Sequence, residues 1–154
     1  MRLKKTYSSR EVAAMTGLTA RQLQIWDGRG LLRPAFPTHR TSAGGYTERR
    51  YTPVELLELL VLAELRGRGF TVHQLRAMID ALKSHFRVTL YEATGGGERV
   101  TLLTDGARVF ARTSSGECYD LIDAPTEPLL LVGDLRKLKA VEGRPRRRGN
   151  RRGS

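Results

Sequence analysis

Cysteine is almost absent from this sequence: Cys118 is the single one in 154 residues. A disulfide within the chain is therefore excluded, and so is any cysteine-cluster metal site. Glu117 and Tyr119 flank Cys118, with no Lys, Arg or His beside it. A small, half-buried residue is expected there, not an activated thiolate. Long apolar runs are missing as well. The richest, ELLELLVLAEL at 55–65, is broken by Glu58 and Glu64 and falls short of the ~20 residues that span a bilayer. The basic start, MRLKKTYSSREV, lacks the apolar stretch of a signal peptide. These absences predict a cytoplasmic, nucleoid-associated chain with no membrane partner. No catalytic set stands out either. The second half past His85 has no histidine, Asp120 and Asp123 have no acid–base partner, and TGGGE lacks the lysine and spacing of a phosphate loop. No enzyme activity, metal or cofactor is expected.

Acidic residues are in deficit. Lys and Arg number 27 against 16 Asp and Glu, for a net charge of +11. The excess is uneven: +6 over residues 1–82, −1 over 83–142 and +6 over the last twelve. A basic first half, a neutral middle and a basic tail point to a polyanionic partner for the first segment. Charge alone does not separate DNA from RNA or from an anionic membrane.

What is present in the first half is a helix start signal, written four times. SSRE at 8–11, TARQ at 19–22, TPVE at 52–55 and TVHQ at 71–74 each match the capping box. In that box Ser or Thr accepts from a first-turn N–H, and Glu or Gln reaches back to the cap's own N–H. Apolar residues at helical spacing follow each of them, which predicts four short helices. Gly17, DGRG at 27–30, and Gly67 with Gly69 supply the stops. Only TGL separates the first two helices, forcing a sharp corner that brings Val12, Met15, Leu18, Leu23 and Trp26 together. The second helix then offers Arg21, Gln22 and Gln24 on its polar side, although Gln22 also has a capping role. Pro34 and Pro37 end helical structure. Beyond them, THRT and YTERRY flank Gly44-Gly45 and predict a β-hairpin carrying His39, Arg40, Arg49, Arg50 and Tyr51. A helix fits the major groove of duplex DNA, where base edges accept from Arg and pair with Gln. Flanking phosphates attract the remaining Arg residues.

The stretch from Tyr7 to about residue 82 resembles the winged helix–turn–helix domain of the mercury-resistance (MerR) regulator family. The matching signatures, in order, are Tyr7 to Ala13, Trp26-Asp27, residues 30–34 (GLLRP), Arg49 to Tyr51, and residues 65–71 ending in Gly69-Phe70-Thr71. The resemblance implies a homodimer on a pseudo-palindromic promoter site, and family activators distort the promoter so that RNA polymerase can use it. By position, Arg21 corresponds to a DNA-contacting arginine of the second helix, and Arg40 and Arg49 to wing residues. The sequence departs from the family where an Arg-Tyr pair is usual before Trp26: here it reads Gln24-Ile25, without the tyrosine hydroxyl.

The second half departs further. In place of one long pairing helix, RVTLYEA, ERVTLLTDG, ARVFARTSSGE, CYDLIDA and PLLLVGDL alternate in period two between TGGG, DG and SSG turns. Three to five antiparallel strands are expected, closed by a short helix over DLRKLKAV at 134–141. The fold class is thus α+β: a winged helix–turn–helix of four helices and a hairpin over 1–84, a small β domain over 85–142, and a basic disordered tail over 143–154. The expected function is a sequence-specific, double-stranded-DNA-binding transcriptional regulator. The alternative is an antitoxin-like or architectural DNA-binding protein whose sheet holds a protein partner.

Overall fold

The computed structural model describes residues 5–31, 49–96, 98–129 and 137–143. The wing's tip with His39 and Arg40, the segment 130–136 and the basic tail lie outside the described residues. Among those described, no helix is long and apolar enough to cross a membrane, and no group of three His, Cys, Asp or Glu could hold a metal ion. The chain divides into two compact units, one running to Ala63 and the other Glu64–Gly143.

The first unit opens with strand β1 (Tyr7–Ser8), helix α1 (Ser9–Thr16) and helix α2 (Ala20–Gly28). All four expected capping boxes form. At the first, the Glu11 N–H donates to Ser8 Oγ (3.1 Å) and the Ser8 N–H donates to Glu11 Oε1 (3.0 Å). Thr19 and Gln22 repeat the exchange for α2. Gly17 ends α1 in the left-handed conformation (φ 82°), its N–H donating to the Ala13 carbonyl. That conformation, which glycine adopts without a Cβ clash, turns the chain in only three residues. Strand β2 (Arg50–Tyr51) pairs antiparallel with β1, Tyr7 opposite Tyr51, and leads through Thr52 into α3 (Pro53–Gly67). Thr52 and Glu55 cap α3. Leu59, Leu60, Val61 and Leu62 are buried in succession, so α3 is covered on more than one face.

The division between the units falls inside α3. The helix offers no break before Gly67. Helix α4 (Val72–Ala81), capped by Thr71 and Gln74, continues directly into a wider π-helical turn, Leu82–Phe86. Arg87 ends that turn with φ 55°, and its N–H donates to the Leu82 carbonyl.

Residues 88–96 correct the sequence reading. RVTLYEA is not a strand. Thr89 and Glu92 form a fifth capping box, with bonds of 2.9 and 3.1 Å, and start the helical turn Glu92–Gly96. The period-two pair Val88 and Leu90 is buried, but so is Ala93. Leu90 and Ala93 stand three apart, as a helix requires. Among the described residues the sheet then has five strands: β3 (Val100–Thr104), β4 (Val109–Thr113), β5 (Cys118–Asp120), β6 (Ala124–Leu129) and β7 (Lys139–Ala140), in the order β6-β5-β4-β3-β7. The expected closing helix does not reach its last residues, since Lys139 and Ala140 pair antiparallel with Thr104 and Leu103; residues 134–136 lie outside the described residues. Val100, Leu102, Thr104, Val109 and Ala111 share one face by register and are all buried. On the other face the Arg108 guanidinium lies 5.1 Å above the Phe110 ring.

The DG and SSG turns form where expected. Asp105 Oδ1 accepts from the N–H groups of Ala107 (2.9 Å) and Arg108 (2.8 Å) while Gly106 takes φ 96°. Asp120 Oδ1 accepts from Ile122 and Asp123 in the same manner, so this buried carboxylate shapes the β5–β6 connection. Burial pushes the Asp105 carboxyl upward, but the two backbone N–H bonds and the Arg108 charge outweigh it and hold the group below the ordinary aspartate range.

Two outcomes follow. Arg87 is exposed and left-handed, so Arg87→Gly loses little packing and relieves the Cβ clash. It should stabilise the protein by about 0.5–1 kcal/mol in urea unfolding. The depressed Asp105 group contributes stability above its unfolded value of about 4, and that contribution is lost as pH falls through the folded value. The stability difference between wild type and Asp105→Ala should therefore be largest at neutral pH and shrink below about pH 4, as read by thermal melts across the range.

Candidate nucleic-acid interface

Helix α2 is only nine residues long and buries Leu23 (1% exposed) and Trp26 (3%). Trp26 is thus a core residue, as its stripe predicted. With that side fixed inward, Ala20, Arg21, Gln24, Ile25 and Gly28 are all exposed. Their spacing places them on one face of the helix. Arg21 and Gln24 are the two expected base-reading residues on this face. Gln22 is only half-buried at its edge, and its Oε1 accepts from the Thr19 N–H at 2.8 Å. Its capping role is realised.

Of the residues assigned to the expected hairpin, the three described ones lie elsewhere. Arg49, half-buried, reaches Asp27 at the end of α2, Nη2 to Oδ2 at 3.1 Å. Its Nε is buried with no hydrogen-bond partner among the described residues. Arg50 donates to Thr6 from Nε and Nη2 at 3.1 and 2.9 Å, holding β2 to the chain just before β1. Tyr51, grouped in the sequence with the basic residues of the expected hairpin, is 1% exposed: the hydroxyl has Ser9 as a hydrogen-bond partner, and burial raises its pKa despite the opposing pull of Arg49. Its ring belongs to the core. The sequence therefore grouped residues that the fold separates into an outward pair, Arg21 and Gln24, and inward braces.

Two features of this surface had no clear sequence signal. Asp27 and Arg49 are 22 positions apart, and nothing local marks them as partners. The electrostatics of the unit follow from where its acids are placed. Among its described residues the exposed charged side chains are Lys5, Arg10, Arg21 and Arg29, all basic. Glu11, Asp27 and Glu55 are half-buried and Glu58 is buried. Glu11 and Glu55 accept from their cap N–H groups and Asp27 is paired with Arg49. The outward field is consequently positive, suited to a polyanion.

The second unit carries a separate open cleft of about 690 Å³ on the sheet, lined in part by Thr101, Leu103, Arg112 and Cys118. Cys118 is 4% exposed. Burial pushes its thiol pKa up against the lowering effect of Arg112, which keeps the sulfur protonated and unreactive at neutral pH.

Comparison with known proteins gives a family match in the first half of the chain. Residues 7–82 match the family described as MerR HTH family regulatory protein. An uncharacterized HTH-type transcriptional regulator of Mycobacterium tuberculosis is 28% identical over 116 residues, 75% of this chain and 47% of that protein. The HTH-type transcriptional regulator CueR of Vibrio cholerae is 32% identical over 69 residues, 45% of each. The chain thus spans about half the length of the curated relatives it matches. A MerR-family transcriptional regulator from Bacillus cereus, known from a crystal structure, is 26% identical and covers 48% of this chain and 51% of its own, with a TM-score of 0.39.

The Arg49–Asp27 pair braces the strand before α3 against the end of α2, and its side chains are only 18% and 19% exposed. Asp27→Asn leaves the guanidinium half-buried without its counter-charge and should destabilise the protein by about 1–2 kcal/mol. A double-mutant cycle with Arg49→Met in chemical denaturation should return a coupling of about 1 kcal/mol. Strict additivity would show that the contact contributes nothing.

Proposed function

Residues 7–82 are a MerR-family helix–turn–helix domain, and on that premise we propose that the chain is a sequence-specific DNA-binding transcriptional regulator that reads the major groove with α2. The observation that carries this reading is the outward face of α2. It presents a guanidinium and a carboxamide, Arg21 and Gln24, on a unit whose described exposed charges are all basic. Arg pairs with the acceptors of guanine, and Gln with the donor and acceptor of adenine. Ala20 and Gly28 bound the face with little side-chain bulk, so the helix backbone can approach the duplex closely.

In this reading the protein binds a pseudo-palindromic promoter site as a homodimer, one α2 per half-site. Arg40 contributes flank contacts by family resemblance, and His39 joins it from the same expected hairpin. Arg49 and Arg50 act by holding the base of the wing against α2 and β1. The five-stranded sheet takes the place of the expected pairing helix and supports self-association or a protein partner. RNA polymerase engages the bound promoter as it does for family activators.

Arg21→Ala should weaken binding to the selected site by about 1–3 kcal/mol, and weaken binding to random duplex by less. Equal losses on both would reduce Arg21 to a phosphate contact. Binding measured by fluorescence anisotropy should fall steeply from about 50 to 200 mM salt, as counterion release requires. A flat response would remove the electrostatic basis of the proposal.

A further inference from the structure

Ile25 is 38% exposed, one of three large apolar side chains so placed among the described residues, and by helix spacing it stands at the Arg21 edge of the face formed by Ala20, Arg21, Gln24 and Gly28. The core contacts of α2 are made by Leu23 and Trp26 on the opposite side. We infer that Ile25 is a specificity-determining residue that packs on the C5-methyl group of a thymine in the half-site, an inference that rests on the DNA-reading role of α2 proposed above.

The argument is one of chemical matching. The thymine methyl is the one apolar group that base edges present in the major groove. A protein partner would need a broader apolar surface, but the exposed neighbours of Ile25 along α2 are Ala20, Arg21, Gln24, Gly28 and Arg29, which supply no second large apolar side chain. Among the described residues the other large exposed apolar side chains, Val54 and Leu57, belong to α3. An aliphatic group beside a guanidinium, on a face that also carries a carboxamide, matches a base-pair edge that mixes acceptors with one methyl.

Helix geometry sets the spacing. At a rise of 1.5 Å per residue, Ile25 lies about 6 Å along the axis from Arg21, and base pairs stack about 3.4 Å apart. The thymine that meets Ile25 therefore falls within about two pairs of the guanine that meets Arg21. A tyrosine at this position, usual in the family, would instead offer a ring and a hydroxyl. Its replacement by isoleucine trades a hydrogen-bonding group for a compact branched one.

The test uses the full chain on sites selected from a random duplex library. Each thymine is replaced in turn by deoxyuridine, which removes only the methyl. Wild type should lose about three- to fivefold in affinity at one position per half-site, the size of one buried methyl group. Ile25→Ala should show a similar loss on the unmodified site and no further loss on the deoxyuridine site. Circular dichroism checks that this exposed substitution leaves the fold intact. Deoxyuridine sensitivity that is absent, or that persists in Ile25→Ala, overturns the inference while leaving the DNA-reading role standing. A library that yields no preferred sequence overturns both.

Discussion

The rotational setting of α2 is the constraint on which the proposed site depends. A helix of nine residues has one stripe to bury, and Leu23 and Trp26 occupy it. Each residue turns the helix by about 100°, so fixing those two fixes every other direction. Arg21, Gln24 and Ile25 are thereby turned outward. Gly17 sets the corner from below by its left-handed backbone, and the Arg49–Asp27 pair holds the far end. If the buried stripe rotated by one residue, the polar face would turn away from the direction it now presents.

The positive surface of the first unit comes from a division of labour among charges. Its described acids are used locally: Glu11 and Glu55 in capping boxes, Asp27 in an ion pair. Each of those roles draws a carboxylate toward backbone or a counter-charge and away from solvent. Among the described residues a modest net charge becomes a set of exposed charges of one sign, which is how a small domain can attract a polyanion without a long basic run.

The second unit follows different rules. Its strand register puts five buried residues on one face, and its turns are shaped by Asp105 and Asp120 accepting from the N–H groups that follow them. Both carboxylates act in the fold as turn formers.

Local signals were legible wherever a few neighbouring residues decide the outcome. The four capping boxes, the Gly17 corner, the DG and SSG turns and the Leu23–Trp26 stripe are all interactions over four residues or fewer, where propensity and hydrogen bonding need no tertiary help. The one local signal that was passed over, Thr89 with Glu92, was masked by a coincidental alternation of Val88 and Leu90. The same residues also determine that α2 faces outward with Arg21 and Gln24. Only the tertiary structure decided that Arg49 meets Asp27, that Tyr51 is buried, that Lys139 and Ala140 join a sheet edge, and that the first unit's described acids are withdrawn from the surface. Each of those outcomes joins distant positions or depends on what covers a side chain, and burial and long-range pairing are properties of the assembled chain that no short window of sequence contains.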